Sequence, residues 1–276
     1  MKYPRNTCLL LVLPALLLLS SCVQKAYYQH PAQTIASNYH AMPLASDSVA
    51  AASYVDAGIS LGGMNYQLRD NVFSLQAGVH RAHVLQQFRL LYGGAIALGG
   101  YHVKPYDYYA NDSYYLDTAA INRSSGTRYW GNYGLYLAAS AATRLGRRGE
   151  WRYIGVEGSF NNEFGSYATY RKGLPDSAAT IIDRQRVLGS AGISTEFIFK
   201  GRSGKSFGIK LAAGSLLRNL RYYNKTYANP YHTYDHLLYF SNSYHLTVDR
   251  TTAYMQLNVA THGAGVQFGV NYKLSR

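Results

Sequence analysis

Beyond residue 54, hydrophobic residues recur at every second position over most of the chain. Val55, Ala57, Ile59, Leu61 and Gly63 alternate with Asp56, Gly58, Ser60 and Gly62; Phe73, Leu75, Ala77 and Val79 alternate with Ser74, Gln76 and Gly78. A period of two predicts strands with one apolar and one small or polar face. It returns in residues 88–99, 129–143, 151–161, 187–200, 206–216, 252–260 and 265–274, and no convincing amphipathic helix appears. Many of these stretches exceed the roughly five or six residues usual in soluble sheets and suit tilted strands that cross a bilayer. In 187–200 the apolar face carries Val187, Ala191, Ile193, Phe197 and Phe199. Glu196 falls on the opposite face, toward an interior and away from lipid.

The connections alternate in length. Gly146-Arg147-Arg148-Gly149, Gly201-Arg202-Ser203-Gly204 and Thr261-His262-Gly263-Ala264 read as tight hairpin turns, whereas 101–128, 164–186 and 220–249 read as long polar loops. Short turns at one end and long loops at the other are the pattern of an outer-membrane barrel, with the short turns periplasmic. Backbone groups in lipid must be paired internally, so crossing strands must close on themselves. About nine strands are visible, and barrels of this kind use even numbers; a further strand is sought around 46–52 or in 237–246. The expected fold is all-β, an antiparallel transmembrane β-barrel of about 8–10 strands over residues 54–276.

The first residues carry another signal. Lys2 and Arg5 precede an apolar run from Cys8 to Leu19, broken by Pro14 and followed by Ser20, Ser21 and Cys22. The run is too short for a membrane span and has the order of a secretory signal. Residues 1–21 are expected to be removed and 22–53, rich in Ala, Ser, Gln and His, to form a lipidated tether. Leu19-Ser20-Ser21-Cys22 resembles the bacterial lipobox, which implies a diacylglycerol and an N-acyl chain on Cys22. Cys8 lies in the discarded segment, so no disulfide or cysteine metal site remains.

Charge narrows the partners. Without Lys2 and Arg5 the excess of 27 Lys+Arg over 14 Asp+Glu falls from thirteen to eleven, still strongly basic. Such a field suits anionic lipids, lipopolysaccharide phosphates or acidic glycans. Nucleic acid is disfavoured by export and by the lack of a recognition motif. The 28 tyrosines and 26 glycines fit strands and membrane interfaces.

The lipobox at Cys22, the Tyr-rich stretch after it, Met42-Pro43-Leu44 and the closing strand Gly265-Val266-Gln267-Phe268-Gly269-Val270-Asn271-Tyr272 together resemble the small outer-membrane β-barrel lipoproteins of the Bacteroidota. The resemblance implies the outer membrane of a Gram-negative bacterium and a barrel, without an activity. Val23-Gln24-Lys25-Ala26 stands where surface-exposed lipoproteins of that group often carry acidic residues. Surface display of the anchor is therefore not implied.

No catalytic constellation is legible. There is no Gly-x-Ser-x-Gly elbow, and nothing marks one serine as a nucleophile near a histidine base. His232 and His236 have a metal-compatible spacing only on a helix, and Pro230 and the surrounding aromatics predict an irregular loop, so neither metal nor cofactor is expected. Glu157, Glu163 and Glu196 are expected to pair inside the barrel with cations such as Arg144, Arg152 and Lys210. The candidate binding residues are loop aromatics and an arginine: Tyr108, Tyr109, Tyr114, Tyr115, Arg221, Tyr222, Tyr223, Tyr231 and Tyr234. Tyrosine offers a rigid apolar face and one hydroxyl, suited to sugar or protein contact. Lys104, Arg123, Arg128, Arg171, Lys172, Arg218 and Lys225 flank these loops as candidate partners for lipopolysaccharide phosphates. The function expected is a non-enzymatic binding or structural role toward outer-membrane lipids and lipopolysaccharide, surface glycan or a larger membrane complex. A narrow channel is the first alternative, and a lipid-A-modifying hydrolase using His245 or His262 the second.

Overall fold

The alternation is turned inside out relative to a soluble sheet. In the strand Thr251–Ala260 the polar residues Thr252, Gln256 and Asn258 are buried, while Met255, Leu257 and Val259 are exposed. The same inversion holds along the wall: Phe73, Leu75 and Val79 face out and Ser74 and His80 face in. An apolar outside around a polar lumen is stable only where the outside meets lipid. The computed structural model describes residues 26–35, 38–44, 49–105, 118–201, 205–222 and 233–274.

The strands are β1 (Tyr27–Tyr28), β2 (Ala51–Met64), β3 (Asp70–Leu85), β4 (Phe88–Val103), β5 (Gly126–Leu145), β6 (Gly149–Phe164), β7 (Ile181–Ile182), β8 (Val187–Lys200), β9 (Ser206–Tyr222), β10 (Thr233–Val248), β11 (Thr251–Ala260) and β12 (Gly263–Lys273). Two short helices, α1 (Thr118–Arg123) and α2 (Ser166–Gly173), lie in connections. Ten strands, β2–β6 and β8–β12, form a closed antiparallel barrel, sealed where β12 pairs with β2 and Val266 stands opposite Leu61. Closure leaves no unpaired edge in lipid.

The tenth strand is β10, which covers 237–246, one of the two places where a further strand was sought, and takes up about half of the stretch 220–249 otherwise read as a loop. Its outward face, Leu238, Phe240, Leu246 and Val248, is interrupted by Asn242 and Tyr244, which hides the alternation. The amide of Asn242 donates to the Tyr244 hydroxyl at 3.0 Å, so these two polar groups satisfy each other. A second correction concerns the turn Thr261–His262. The strand order puts it at the same end as the long connections, opposite Gln86–Gln87, Gly146–Arg148 and Asp249–Arg250. Gly146 has φ +65°, but Gln86 and Asp249 also take positive φ, so the turns do not rely on glycine alone.

A bulge in β6 decides where charge goes. Pairing with β8 slips between Arg152 and Gly155, and Tyr153 and Ile154 both face out. The extra residue flips the parity: Glu150 and Arg152 point inward before it, and Glu157 and Glu163 after it. A regular strand would turn one of these pairs into lipid. Glycine serves the lumen similarly. A Cβ on Gly269 would stand 2.5 Å from the Tyr254 ring, and one on Gly214 would stand 2.6 Å from the ring of Tyr239. The abundance of both residues thus follows partly from inward rings lying over inward glycines, beyond the interfacial role expected of tyrosine. Exposed Phe88, Trp151–Phe197 stacked at 5.2 Å, Phe199 and Phe207 mark one rim of the outer face, and Tyr129, Tyr133 and Phe160 the other. Such aromatic bands sit at the two membrane interfaces.

Candidate functional site in the lumen

The segment read as a tether runs, over residues 26–35 and 38–44, through the barrel from its loop end toward its turn end. At the loop end, β1 pairs in parallel with β7, Tyr27 opposite Ile181 and Tyr28 opposite Ile182. The Tyr27 amide donates to Asn65 Oδ1 at 2.7 Å, and the Tyr27 ring stacks on His262 at 3.7 Å. Near the turn end, the Met42 and Pro43 carbonyls accept from Arg152 at 3.4 and 3.2 Å. The Ala41 amide donates to Asn271 Oδ1 at 3.2 Å. The little periodicity of this segment follows from its position: surrounded on all sides by wall, it has no single apolar face.

The loop end is closed by an apolar core. Ala26, Tyr28, Met64, Val72, Tyr101, Ile121, Trp130, Tyr167, Ile181 and Leu237 are buried together. Polar bonds hold its margin: Tyr101 and the Asn65 side chain both donate to Asp70 Oδ2 at 2.9 Å, and Tyr101 stacks on Tyr167 at 3.9 Å. Around His30, Arg171 bonds Glu163 and Arg218 bonds Asp183. The Ala32 amide donates to His30 Nδ1 at 3.1 Å, leaving Nε2 3.8 Å from Glu163. Burial, then the charges of Arg171 and Arg218, hold the His30 imidazole well below its ordinary range.

Below this cap the lumen is ionic. Arg152 joins Glu196 at 2.5 Å and Glu150 at 3.0 Å, and Glu150 accepts from Arg89 at 3.1 Å. Lys210 meets Glu157 at 2.6 Å. The expectation that lumen carboxylates pair with cations is met, although Glu163 takes Arg171 from α2. Deep in the lumen His40 stacks on Tyr136 at 3.8 Å, and its Nδ1 lies 3.8 Å from Asp56. His80 has Nδ1 2.7 Å from Asp56 and Nε2 2.8 Å from the Ala41 carbonyl. Among the described residues, His40, Asp56 and His80 are the group with metal-ligand spacing. His80 Nε2 is already engaged by the Ala41 carbonyl, so within this group Nδ1 is the His80 nitrogen that faces Asp56.

His245, the candidate base of a hydrolase, lies 2.9 Å from Glu196 and stacks on Tyr39 at 4.5 Å. Its Nδ1 has no hydrogen-bond partner among the described residues. His245 and Glu196 therefore stand together, and among the described residues no serine or threonine hydroxyl is hydrogen-bonded to the ring. His262 is stacked on Tyr27. Beside the threaded segment the lumen keeps a cavity of about 60 Å³ near His40, Gln76 and Lys210, and a wider vestibule of about 450 Å³ opens at the turn end near Tyr39, Pro43 and Lys200.

The candidate binding residues fall differently. Arg221, Tyr222 and Tyr234 lie at the loop-end tips of β9 and β10, where Tyr234 pairs with Arg221 and Thr233 with Tyr222. Cys22, Tyr108, Tyr109, Tyr114, Tyr115, Tyr223 and Tyr231 lie outside the described residues, as do His232 and Lys225. Of the flanking cations, Arg171 is buried and Arg218 is committed to Asp183, so neither faces a ligand; Arg123 and Lys172 are exposed. The lumen residues Tyr39, His40, Asp56 and His80 were not legible as a cluster, because His40 sits in the aperiodic segment and only the threading brings it to the wall.

Wall and lumen together define the class: a closed ten-stranded barrel of the outer-membrane type, filled by its own N-terminal segment. No family model matches the chain, and no curated protein matches it. Among solved structures it is similar to the β domain of the Bordetella autotransporter BrkA, with 10% identity, TM-score 0.42, and 82% of this chain and 100% of that one covered. It is also similar to the translocator domain of the autotransporter NalP from Neisseria meningitidis, with 7% identity, TM-score 0.40, and coverage of 84% and 91%. The transport unit of the autotransporter AIDA-I from Escherichia coli shows 9% identity, TM-score 0.38, and coverage of 88% and 96%.

Proposed function

We propose that this protein is an outer-membrane barrel lipoprotein, acylated on Cys22, that works by binding or scaffolding at its loop end and neither conducts nor catalyses. The carrying observation is the filled lumen. Residues 26–35 and 38–44 occupy the space that a channel would need, and hydrogen bonds, ion pairs and ring contacts tie that filling to the wall and its loops. What the molecule offers a partner is then its outside. The exposed basic residues Arg123, Lys172 and Arg186 stand at the loop end, where Arg184 is paired with Asp176. With the aromatic loop residues they suit an anionic, sugar-bearing surface such as lipopolysaccharide, surface glycan or a larger membrane complex.

Planar-bilayer recording tests the reading. The purified protein is expected to leave the bilayer silent, and deletion of residues 26–44 is expected to open steady conductance through the emptied lumen. Steady conductance by the intact protein would overturn the reading in favour of a narrow channel. Partners retained in native membranes, identified by mass spectrometry, would give the ligand; loss of that retention on replacing Arg123 and Lys172 would place it at the loop end.

A further inference from the structure

The path of residues 26–35 and 38–44 settles a direction. Ala26 accepts at its carbonyl from Thr180 and Ile181 in the β6–β8 connection, while Met42 and Pro43 bond Arg152 near the start of β6, and β2 then rises from the turn end. The chain therefore enters from the loop end, descends the lumen and turns back into the wall. We infer that the lipid anchor on Cys22 is seated in the outward-facing leaflet, beside the long loops. This rests on the proposed acylation and on the long-loop end facing outward.

Distance decides between leaflets. Cys22 is four residues before Ala26, and four residues span at most about 14 Å when fully extended. That reach, starting from the loop end, is short of the full height of the barrel wall. The opposite leaflet lies beyond an apolar band about 25 Å tall. Returning through the lumen is closed by the same segment, packed there with the apolar cap of Tyr28, Trp130 and Ile181. The anchor then serves the loop end: acyl chains fixed in the outer leaflet hold the cap against the membrane, where a tether at the turn end could not.

Thiol labelling reads this directly, because Cys8 and Cys22 are the sole cysteines of the sequence and Cys8 precedes the cleavage point. Lys25→Cys and, as a marker of the turn end, Arg147→Cys would be treated in intact cells with a membrane-impermeant maleimide. Lys25→Cys is expected to label in intact cells and Arg147→Cys only after the outer membrane is opened. Labelling of Lys25→Cys only after opening, or only after denaturation, overturns the inference, as does the reverse order of the two sites. The unmodified protein must stay unlabelled and its N-terminal peptide must carry acyl mass; a reactive Cys22 would overturn the anchor. Bilayer silence and surface labelling are independent, so failure here leaves the plugged-barrel reading intact and identifiable.

Discussion

At the loop end of the lumen the chain packs against itself as a soluble domain does, with Tyr28, Met64, Tyr101, Trp130 and Ile181 buried together; at the turn end the same segment is gripped by Arg152, Asn271 and His80. The two ends close by different physics. Apolar packing is tolerant of small displacements and excludes water, whereas a charged lumen holds the chain through directed bonds and stays open to a vestibule. Burial dominates where the segment enters, with the Arg171–Glu163 and Arg218–Asp183 pairs at the margin of the cap; where it leaves, Tyr39 and Ala41 still pack against Tyr54 and Leu91, and the directed bonds come from Arg152, Asn271 and His80. A plug built this way resists release as a unit, because loosening either end leaves the other in place.

The largest effect is expected at the ionic end. Arg152→Ala leaves Glu196 and Glu150 without their shared cation and strips the Met42 and Pro43 carbonyls of their donor. Removing one partner of a buried pair costs about 3–5 kcal/mol. Thermal unfolding in detergent should fall accordingly, and hydrogen exchange should quicken over residues 38–44 while 26–33 stay protected. Equal loss of protection at both ends would mean that they are one unit. Met64→Ala is the counterpart in the cap, where deleting a buried methionine costs roughly 2–5 kcal/mol. Its expected signature is the reverse: faster exchange over 26–33, with 38–44 held.

The contrast also explains what could be read from the sequence. The wall was legible because lipid imposes a period of two, and Glu196 fell on the inner face as that period requires. It was faint at β10, where Asn242 and Tyr244 break the outer face and 237–246 was only one of two candidates, and it was blind to the β6 bulge, which no alternation can place. The lumen was hardly legible at all. A segment enclosed by wall needs no period, so Tyr39 and His40 carried no mark of their destination, and Asp56 read as one polar residue among several facing inward. Arg171 and Arg218 looked like loop cations because their partners Glu163 and Asp183 are brought to them only by the folding of the β6–β8 connection.

Between the two ends, inward rings lie over inward glycines. Gly269→Ala drives a Cβ to 2.5 Å from the Tyr254 ring, whose hydroxyl accepts from Gln267 at 2.9 Å. Overpacking of this kind costs about 1–3 kcal/mol. The loss should shrink in the double variant Gly269→Ala with Tyr254→Leu, since the smaller side chain frees the space. A double variant as unstable as the sum of its parts would show that the glycine is needed for the backbone and not for the ring.

The smallest effect is a pH dependence confined to the cap. His30 is buried against Arg171 and Arg218, with Glu163 and the Arg186 carbonyl also facing it, and its imidazole is held well below the ordinary histidine range. The unfolded chain therefore takes up a proton near pH 6.5 that the folded chain refuses. Stability contributed by neutral His30 is complete above about pH 6.5 and is lost as pH falls below it toward the folded value, by at most about 1.4 kcal/mol per pH unit. Protonation at Nδ1 would also break the bond from the Ala32 amide. Unfolding of the unmodified protein is compared with that of His30→Gln between pH 7.5 and 5.5, and Glu163→Gln in both backgrounds removes the carboxylate 3.8 Å from the ring from the comparison. The unmodified protein should lose more stability on acidification than the variant. Parallel curves would mean that protons reach the cap without disturbing it, and that its closure depends on apolar packing alone.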